Sequence, residues 1–231
     1  MALTVVVRGV GDVGSAVAHR LFVEGYAVVI HDGPTPTTTR RGMAFADAVF
    51  DGTAILESVQ AMRADDLARV KEALGDHRAI PVYIGDIDAL LADLRPEIFV
   101  DARMRKHQQA DIQRGLATFT VGLGPSLVAG HHADVVVETS WDRLGAIIRD
   151  GSSLPLSGEP REIGGHARDR YVYAPVAGVF RTKAGVGDLV REGQAIAEIG
   201  RTALRAPLDG ILRGLTRDGV PVSARTKVIE V

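Results

Sequence analysis

Leu3-Thr4-Val5-Val6-Val7, Gly9-Val10-Gly11-Asp12-Val13-Gly14 and Tyr26-Ala27-Val28-Val29-Ile30-His31-Asp32 stand in that order within the first 32 residues. Between the glycines and Gly25, residues Val13, Val17 and Leu21, with Gly14 and Ala18, fall on one face at helical spacing. The order is strand, glycine turn, helix, strand, acid. The first glycine of such a turn makes the tight bend, the second admits a pyrophosphate against the backbone, and the third lets helix and strand pack closely. The N–H groups at the helix start then face the phosphates. Asp32 follows Gly14 by 18 residues, where an acid can accept hydrogen bonds from ribose hydroxyls.

Outward from this stretch, residues 33–42 hold Pro34, Pro36 and four threonines and predict a loop ending in Arg40-Arg41. Residues 43–50 suggest a short helix. Periodicity does not decide between hairpin and helix over 53–64. Asp65 to Leu74 reads as a helix, 80–84 and 98–101 as strands, and 86–94 as the helix between them. Residues 117–121 and 133–138 read as further strands. This alternation predicts an α/β, Rossmann-like, mostly parallel sheet domain over residues 1–150. Residues 151–170, rich in glycine and polar side chains, read as a linker or ordered crossing loop.

Residues 171–231 contain a repeat. Ala174-Pro175-Val176-Ala177-Gly178-Val179-Phe180-Arg181 recurs 32 residues later as Ala206-Pro207-Leu208-Asp209-Gly210-Ile211-Leu212-Arg213. Two copies too small to bury their own faces are expected to pack together. With Gly187-Asp188, Gly193-Gln194 and Ile196 the pattern resembles the biotinyl/lipoyl carrier domains, which implies a small C-terminal all-β barrel-sandwich domain. The hairpin tip, Gly200-Arg201-Thr202-Ala203-Leu204, has no lysine, so no biotin or lipoate attachment is expected.

Composition narrows the function classes. The chain has 231 residues, 46% of them apolar, and a net charge of −2. Nothing in that balance favours nucleic acid or an anionic membrane. No run approaches the ~20 apolar residues of a membrane span. The absence of cysteine excludes disulfides, thiolate metal sites and a cysteine nucleophile. A cytoplasmic protein is the expectation.

Candidate ligand contacts are Gly9, Gly11, Asp12, Gly14, Asp32, Arg40, Arg41, Gly122, Gly124 and Ser126. Asp12 points two ways. At the helix start it can hold the donors a pyrophosphate would use, and its charge repels phosphate unless Mg²⁺ bridges the two. Arg40 and Arg41 either clamp a 2′-phosphate or another anion, or form a solvated basic pair. Val121-Gly122-Leu123-Gly124-Pro125-Ser126 is a second glycine turn after a strand, either an anion seat or an ordinary strand end. Asp101, Arg103, Arg105, Lys106 and His107 cluster after another strand, as substrate contacts or as a charged helix face. His131, His132, Asp134 and Glu138 are a dense His/acid grouping. Adjacent histidines on one strand point to opposite faces, so no metal site is expected. No catalytic residue emerges.

Read whole, the chain resembles the selenium-dependent molybdenum hydroxylase system protein family. The resemblance lies in residues 9–21, in Arg40-Arg41 with Phe45-Ala46-Asp47-Ala48-Val49, in Val100-Asp101-Ala102-Arg103, in 122–126, and in Glu138-Thr139, Leu144-Gly145 and Glu162-Ile163-Gly164-Gly165. It implies a nucleotide-binding accessory protein in the maturation of xanthine dehydrogenase-like molybdenum hydroxylases, partnered by the hydroxylase or its maturation machinery, with no established reaction. Its ligand would be NAD(P), another nucleotide or a molybdopterin dinucleotide. The alternatives are an NAD(P)-dependent oxidoreductase and a non-catalytic nucleotide sensor that regulates a partner. Homo-oligomerisation stays open.

Overall fold

A computed structural model describes residues 2–105, 110–156 and 160–231. The chain divides into two compact units, Met1–Pro34 with Ala44–Ser157, and Thr35–Met43 with Gly158–Val231.

The first unit is built on β1 (Thr4–Arg8), α1 (Asp12–Val23), β2 (Ala27–His31), α2 (Ala48–Asp51), β3 (Thr53–Leu56), β4 (Val59–Ala64), α3 (Leu67–Asp76), β5 (Ile80–Tyr83), α4 (Ile87–Leu94), β6 (Ile98–Asp101), β7 (Phe119–Leu123), β8 (Val135–Val137) and β9 (Ile147–Ile148). The strands form one nine-stranded sheet in the order β3-β4-β5-β2-β1-β6-β7-β8-β9. Strands β4 to β8 run parallel, while β3–β4 and β8–β9 pair antiparallel at the two edges. The sheet is therefore mixed. The expected helix over 43–50 is a short 3-10 turn, Phe45–Asp47, followed by the four residues of α2.

Alternation of side chains sets the layers. Val5, Val7, Val28, Ile30 and Val100 are buried on one face, with Ala18 of α1 and Phe45. Val6, Val29 and Phe99 are buried on the other, with Val70 of α3 and Leu90 of α4. Both helices on that second face start at a capping aspartate: Asp66 accepts from the Arg69 N–H at 2.8 Å and Asp86 from the Ala89 N–H at 2.8 Å.

Gly14 and Gly75 show how differently two helical glycines behave. A Cβ on Gly14 would lie 1.9 Å from the Gly9 carbonyl oxygen, whereas one on Gly75 in α3 would meet nothing within 4 Å. Gly75→Ala is therefore expected to raise stability by about 0.5–1 kcal/mol, because alanine loses less backbone entropy in a helix. Urea unfolding checks this, and a destabilised Gly75→Ala would contradict it.

The second unit departs from the expected C-terminal domain. Its strands are β10 (Tyr171–Tyr173), β11 (Gly178–Thr182), β12 (Leu189–Val190), β13 (Ala195–Ile199), β14 (Thr202–Arg205), β15 (Gly210–Ile211), β16 (Gly214–Leu215), β17 (Pro221–Val222) and β18 (Lys227–Glu230). They form three small antiparallel sheets, β10-β18-β16, β14-β13-β11-β17 and β12-β15, in place of one barrel-sandwich. The sequence repeat does not carry through to the pairing. Its first copy supplies most of one five-residue strand, β11, whereas its second supplies only the two residues of β15, and β16, which follows directly, joins a different sheet.

Nor is the unit made from the C-terminal segment alone. Residues 35–43 belong to it: the Leu215 N–H donates to the Thr39 carbonyl at 2.8 Å, and Arg41 Nε donates to the Leu215 carbonyl at 3.0 Å. Arg40 reaches the carboxylate of Glu230 at 3.1 Å.

Candidate functional site

Strand order reverses between β1 and β6, because β2 and β5 lie to one side of β1 while β6, β7 and β8 lie to the other. Ligand crevices in open α/β sheets form at such a point, beyond the carboxyl ends of the strands. One rung of the sheet crosses it: Tyr83, His31, Arg8, Asp101 and Gly122 are neighbours in register at those ends. Such neighbours project to the same face of a parallel sheet.

The glycine turn closes the β1 end. Gly9 has φ +115°, a conformation that favours glycine, and a Cβ there would lie 3.1 Å from the Ala102 and Arg103 backbone. Gly14 packs against the Gly9 carbonyl, as above. Gly11 is the N-cap of α1 and Asp12 its first residue. The Asp12 carboxylate accepts from the Val13 N–H at 3.1 Å, so it does hold a first-turn donor. Ser15 is fully buried; its hydroxyl donates to the Val10 carbonyl at 2.9 Å and accepts from the Phe45 N–H at 2.8 Å. Asp32 is tied into the same turn. Its Oδ2 accepts from the Val10 N–H at 2.7 Å and its Oδ1 from the Gly33 N–H at 2.7 Å.

Beside the turn lies a cluster of charge. Arg103 grips Asp101 with two nitrogens, at 2.8 and 2.5 Å. Asp111 receives three guanidiniums: Arg103 at 3.0 Å, Arg105 at 3.0 Å and Arg8 at 3.8 Å. Burial holds the Arg8 pKa below its ordinary value, with Arg103 adding to the effect against the pull of Asp101 and Asp111. Burial alone would raise the Asp111 carboxyl, but Arg103, Arg105 and Arg8 outweigh it and hold the group below the usual range. Asp101, Arg105, Asp111, Leu123 and Gly124 line a small cleft here. Met104 (φ 53°) and Ser126 (φ 58°) flank it in the left-handed region, which side chains adopt at a cost of order 1–3 kcal/mol.

His31 adds a different chemistry. Its Nε2 lies 3.0 Å from the Gly85 carbonyl. A carbonyl only accepts, so Nε2 carries the proton and Nδ1 offers a lone pair. That Nδ1 is buried and has no hydrogen-bond partner among the described residues. Burial, reinforced by Arg8 and Arg103, lowers the imidazole pKa and keeps the ring neutral.

The other sequence candidates are distributed as follows. In the second glycine turn, Gly122 sits tightly under Leu127, the Gly124 carbonyl accepts from the Ser153 hydroxyl at 2.8 Å, and the Ser126 N–H donates to the Leu154 carbonyl at 3.1 Å. Arg40 and Arg41 lie in the second unit, on Glu230 and the Leu215 carbonyl. Lys106 and His107 lie outside the described residues. His131 and His132 stand on a turn rather than a strand, with ring centroids 4.7 Å apart. The acids near them are taken up by structural hydrogen bonds, to β7 and to loops. Asp134 accepts from the Thr120 N–H and hydroxyl at 2.8 Å, and Glu138 accepts backbone N–H groups of Thr139, Ser140 and Leu154 at 2.7–2.8 Å. Among the described residues no group of three His, Asp or Glu side chains is placed to hold a metal ion. None of their helices is long and apolar enough to cross a membrane.

Comparison with known proteins corrects the family expectation. No family model matches. The chain is similar to "Uncharacterized protein YqeB" of Escherichia coli (strain K12), 39% identical over 230 residues. The match covers 98% of this chain and 42% of that protein, so the chain spans about two fifths of its relative's length. Similar solved structures include the ectoine utilization protein EutE (DoeB) from Ruegeria pomeroyi, at 18% identity, covering 38% of this chain and 28% of that one, with TM-score 0.26. A second is a succinylglutamate desuccinylase/aspartoacylase from Rhodobacter sphaeroides, at 26% identity, 31% and 23% coverage and TM-score 0.24. A third is a succinylglutamate desuccinylase/aspartoacylase family protein from Shewanella amazonensis SB2B, at 14% identity, 100% and 90% coverage and TM-score 0.27.

At those TM-scores the likeness carries no argument about chemistry. What the comparisons return is an uncharacterized relative, an ectoine utilization protein and succinylglutamate desuccinylase/aspartoacylase proteins, in place of selenium-dependent molybdenum hydroxylase system proteins. The family assignment, the maturation role and the hydroxylase partner drawn from it are therefore set aside. The oxidoreductase and sensor alternatives go with them. The lipoyl-like description of the C-terminal residues falls with the three open sheets of the second unit.

Three residues of the crevice were not singled out in the sequence: Arg8, His31 and Asp111. Arg8 and His31 are the last residues of β1 and β2, and the rule that ligands meet strand ends marks both. Asp111 has no comparable signal, because it lies outside the helices and strands.

Proposed function

We propose that the first unit binds a small phosphate-bearing anion at the carboxyl ends of β1, β2, β6 and β7. The glycine turn over residues 9–14 and the guanidiniums of Arg8, Arg103 and Arg105 hold it. One observation carries the proposal: three guanidiniums gather on a single half-exposed carboxylate at the switch in strand order. Like charges brought together repel, and their grouping is favourable where an anion shares them. NAD(P) and other nucleotides, molybdopterin dinucleotide included, carry such a group. Each Asp32 oxygen accepts one backbone hydrogen bond and keeps a lone pair for a ribose hydroxyl. The second glycine turn forms a wall of the cleft, through Leu123 and Gly124. The cytoplasm is the proposed compartment, in keeping with a chain that has no cysteine.

Thermal-shift titration with pyrophosphate, AMP, NAD and NADP tests this. A bound anion is expected to raise the melting temperature, since ligand at 100 times its Kd stabilises by about 2.7 kcal/mol. Arg105→Gln removes a 32% exposed side chain seen here on Asp111, so the fold is expected to persist while the shift shrinks. No shift with any of these anions would refute the proposal.

A further inference from the structure

The carboxylate of Asp111 sits where the ligand's charge belongs. Oδ1 takes Arg105 at 3.0 Å, and Oδ2 takes Arg103 at 3.0 Å and lies 3.8 Å from Arg8. The Asp111 side chain is 44% exposed, so three cations converge on a group at the open side of the crevice. A carboxylate buried to anchor a fold stands otherwise: Asp101, 16% exposed, is held by both nitrogens of one Arg103 fork and by the Arg103 N–H at 3.2 Å. Asp101 orients Arg103; Asp111 merely caps its outer edge together with Arg8 and Arg105. Asp111 and its described neighbours Ala110, Ile112 and Gln113 lie outside the helices and strands. Met104, after β6, is in the left-handed region, a conformation more costly to hold than that of an ordinary loop residue.

We propose that Asp111 is an internal stand-in for the ligand, occupying the anion seat of Arg8, Arg103 and Arg105 in the free protein and giving it up when a phosphoryl group binds. This rests on the anion-binding function proposed above and adds its regulation. The seat is self-occupied, so affinity is set by a competition. The apparent Kd is the intrinsic Kd divided by the fraction of molecules in which the seat is open. The three arginines stay paired in both states, as guanidiniums favour the bidentate geometry that carboxylate and phosphoryl oxygens share. The self-occupied state also discriminates. A weak monoanion does not displace a carboxylate held by three cations, whereas a dianionic phosphoryl group does.

Isothermal titration of the full chain with pyrophosphate tests the stand-in. If the seat is open in about a tenth of the molecules, Asp111→Asn is expected to bind pyrophosphate about tenfold tighter than the wild type. Asp111→Glu, which keeps a carboxylate within reach, is expected to stay within about twofold of it. Wild-type binding that Asp111→Asn leaves unchanged or weakens would overturn the inference and leave the anion site standing, with Asp111 reduced to a positioning residue. Absence of binding in all three proteins would remove the anion site itself and this inference with it. Should Asp111→Asn fail to fold, Asp111→Ser takes its place with the same expected gain.

Discussion

Glu230→Gln is expected to destabilise the second unit by about 3–5 kcal/mol, the cost of breaking a buried ion pair from one side. Glu230 is fully buried. Arg170, itself 4% exposed, meets it at 2.5 Å, with Lys227 at 3.0 Å, Arg40 at 3.1 Å and Arg213 at 3.5 Å. Arg170 and Lys227 also stack over the Tyr171 ring, each 4.4 Å from its centroid. A neutral glutamine keeps the shape but leaves these cations without their shared carboxylate.

The same cluster predicts a pH dependence. Burial pushes the Glu230 carboxyl upward, yet hydrogen bonds and charge from Arg40 and Lys227 outweigh it and bring the pKa from 4.5 to about 2. Because the folded value lies below the unfolded one, the contribution is complete above pH 4.5 and is lost as pH falls toward 2. Its size is about 3 kcal/mol at 1.36 kcal/mol per unit. The gap between wild type and Glu230→Gln should therefore narrow below about pH 4.5 and close near pH 2. Urea unfolding across this range, with hydrogen exchange read at β18, checks both statements. A gap independent of pH would mean that packing, not charge, holds the cluster.

Gly14→Ala is expected to cost about 3 kcal/mol, the upper end for overpacking a rigid site, or to prevent folding of the first unit. The added methyl would stand 1.9 Å from the Gly9 carbonyl oxygen, and the next contact, at 2.9 Å, is backbone as well. Backbone cannot swing aside as a flexible side chain can. Helix α1 must lift from β1, which opens the Val5, Val7 and Ala18 layer. The same lift moves the residue 9–14 turn, so anion binding should fall with stability. Gly75→Ala is the matched control. If both alanines behave alike, the close approach of α1 to β1 is not what fixes Gly14.

How much of this was legible depends on whether a residue's role was local. Asp66 and Asp86 announce their helices because each cap acts within three residues. The apolar run ending at Asp101 marks β6 and places an acid at the crevice. The 53–64 segment was undecidable because its hairpin turns on Glu57 (φ 45°) and Ser58 (φ 70°), with neither glycine nor asparagine to signal the left-handed pair. Residues 33–42 read correctly as a loop, but nothing near them tells that Thr39 and Arg40 join strands some 170 to 190 residues away. The expected C-terminal domain failed for the same reason, since the repeat is visible while the pairing of β15 and β16 with different sheets is not. Of the crevice, the glycines and Asp32 were readable from spacing. The gathering of Arg8, Arg103 and Arg105 on Asp111 required the register of β1 with β6 and contacts between residues that no local pattern links.

The most direct measurement is isothermal titration of pyrophosphate into the wild type and Arg103→Lys. Lysine keeps the charge but not the fork that holds Asp101 at 2.8 and 2.5 Å while reaching Asp111. The wild type should bind one pyrophosphate per chain, and Arg103→Lys should bind it about tenfold more weakly, the loss of a charge-assisted hydrogen bond from a guanidinium oriented by Asp101. Equal affinities, or no binding by the wild type, would contradict an anion site at the switch between β1 and β6.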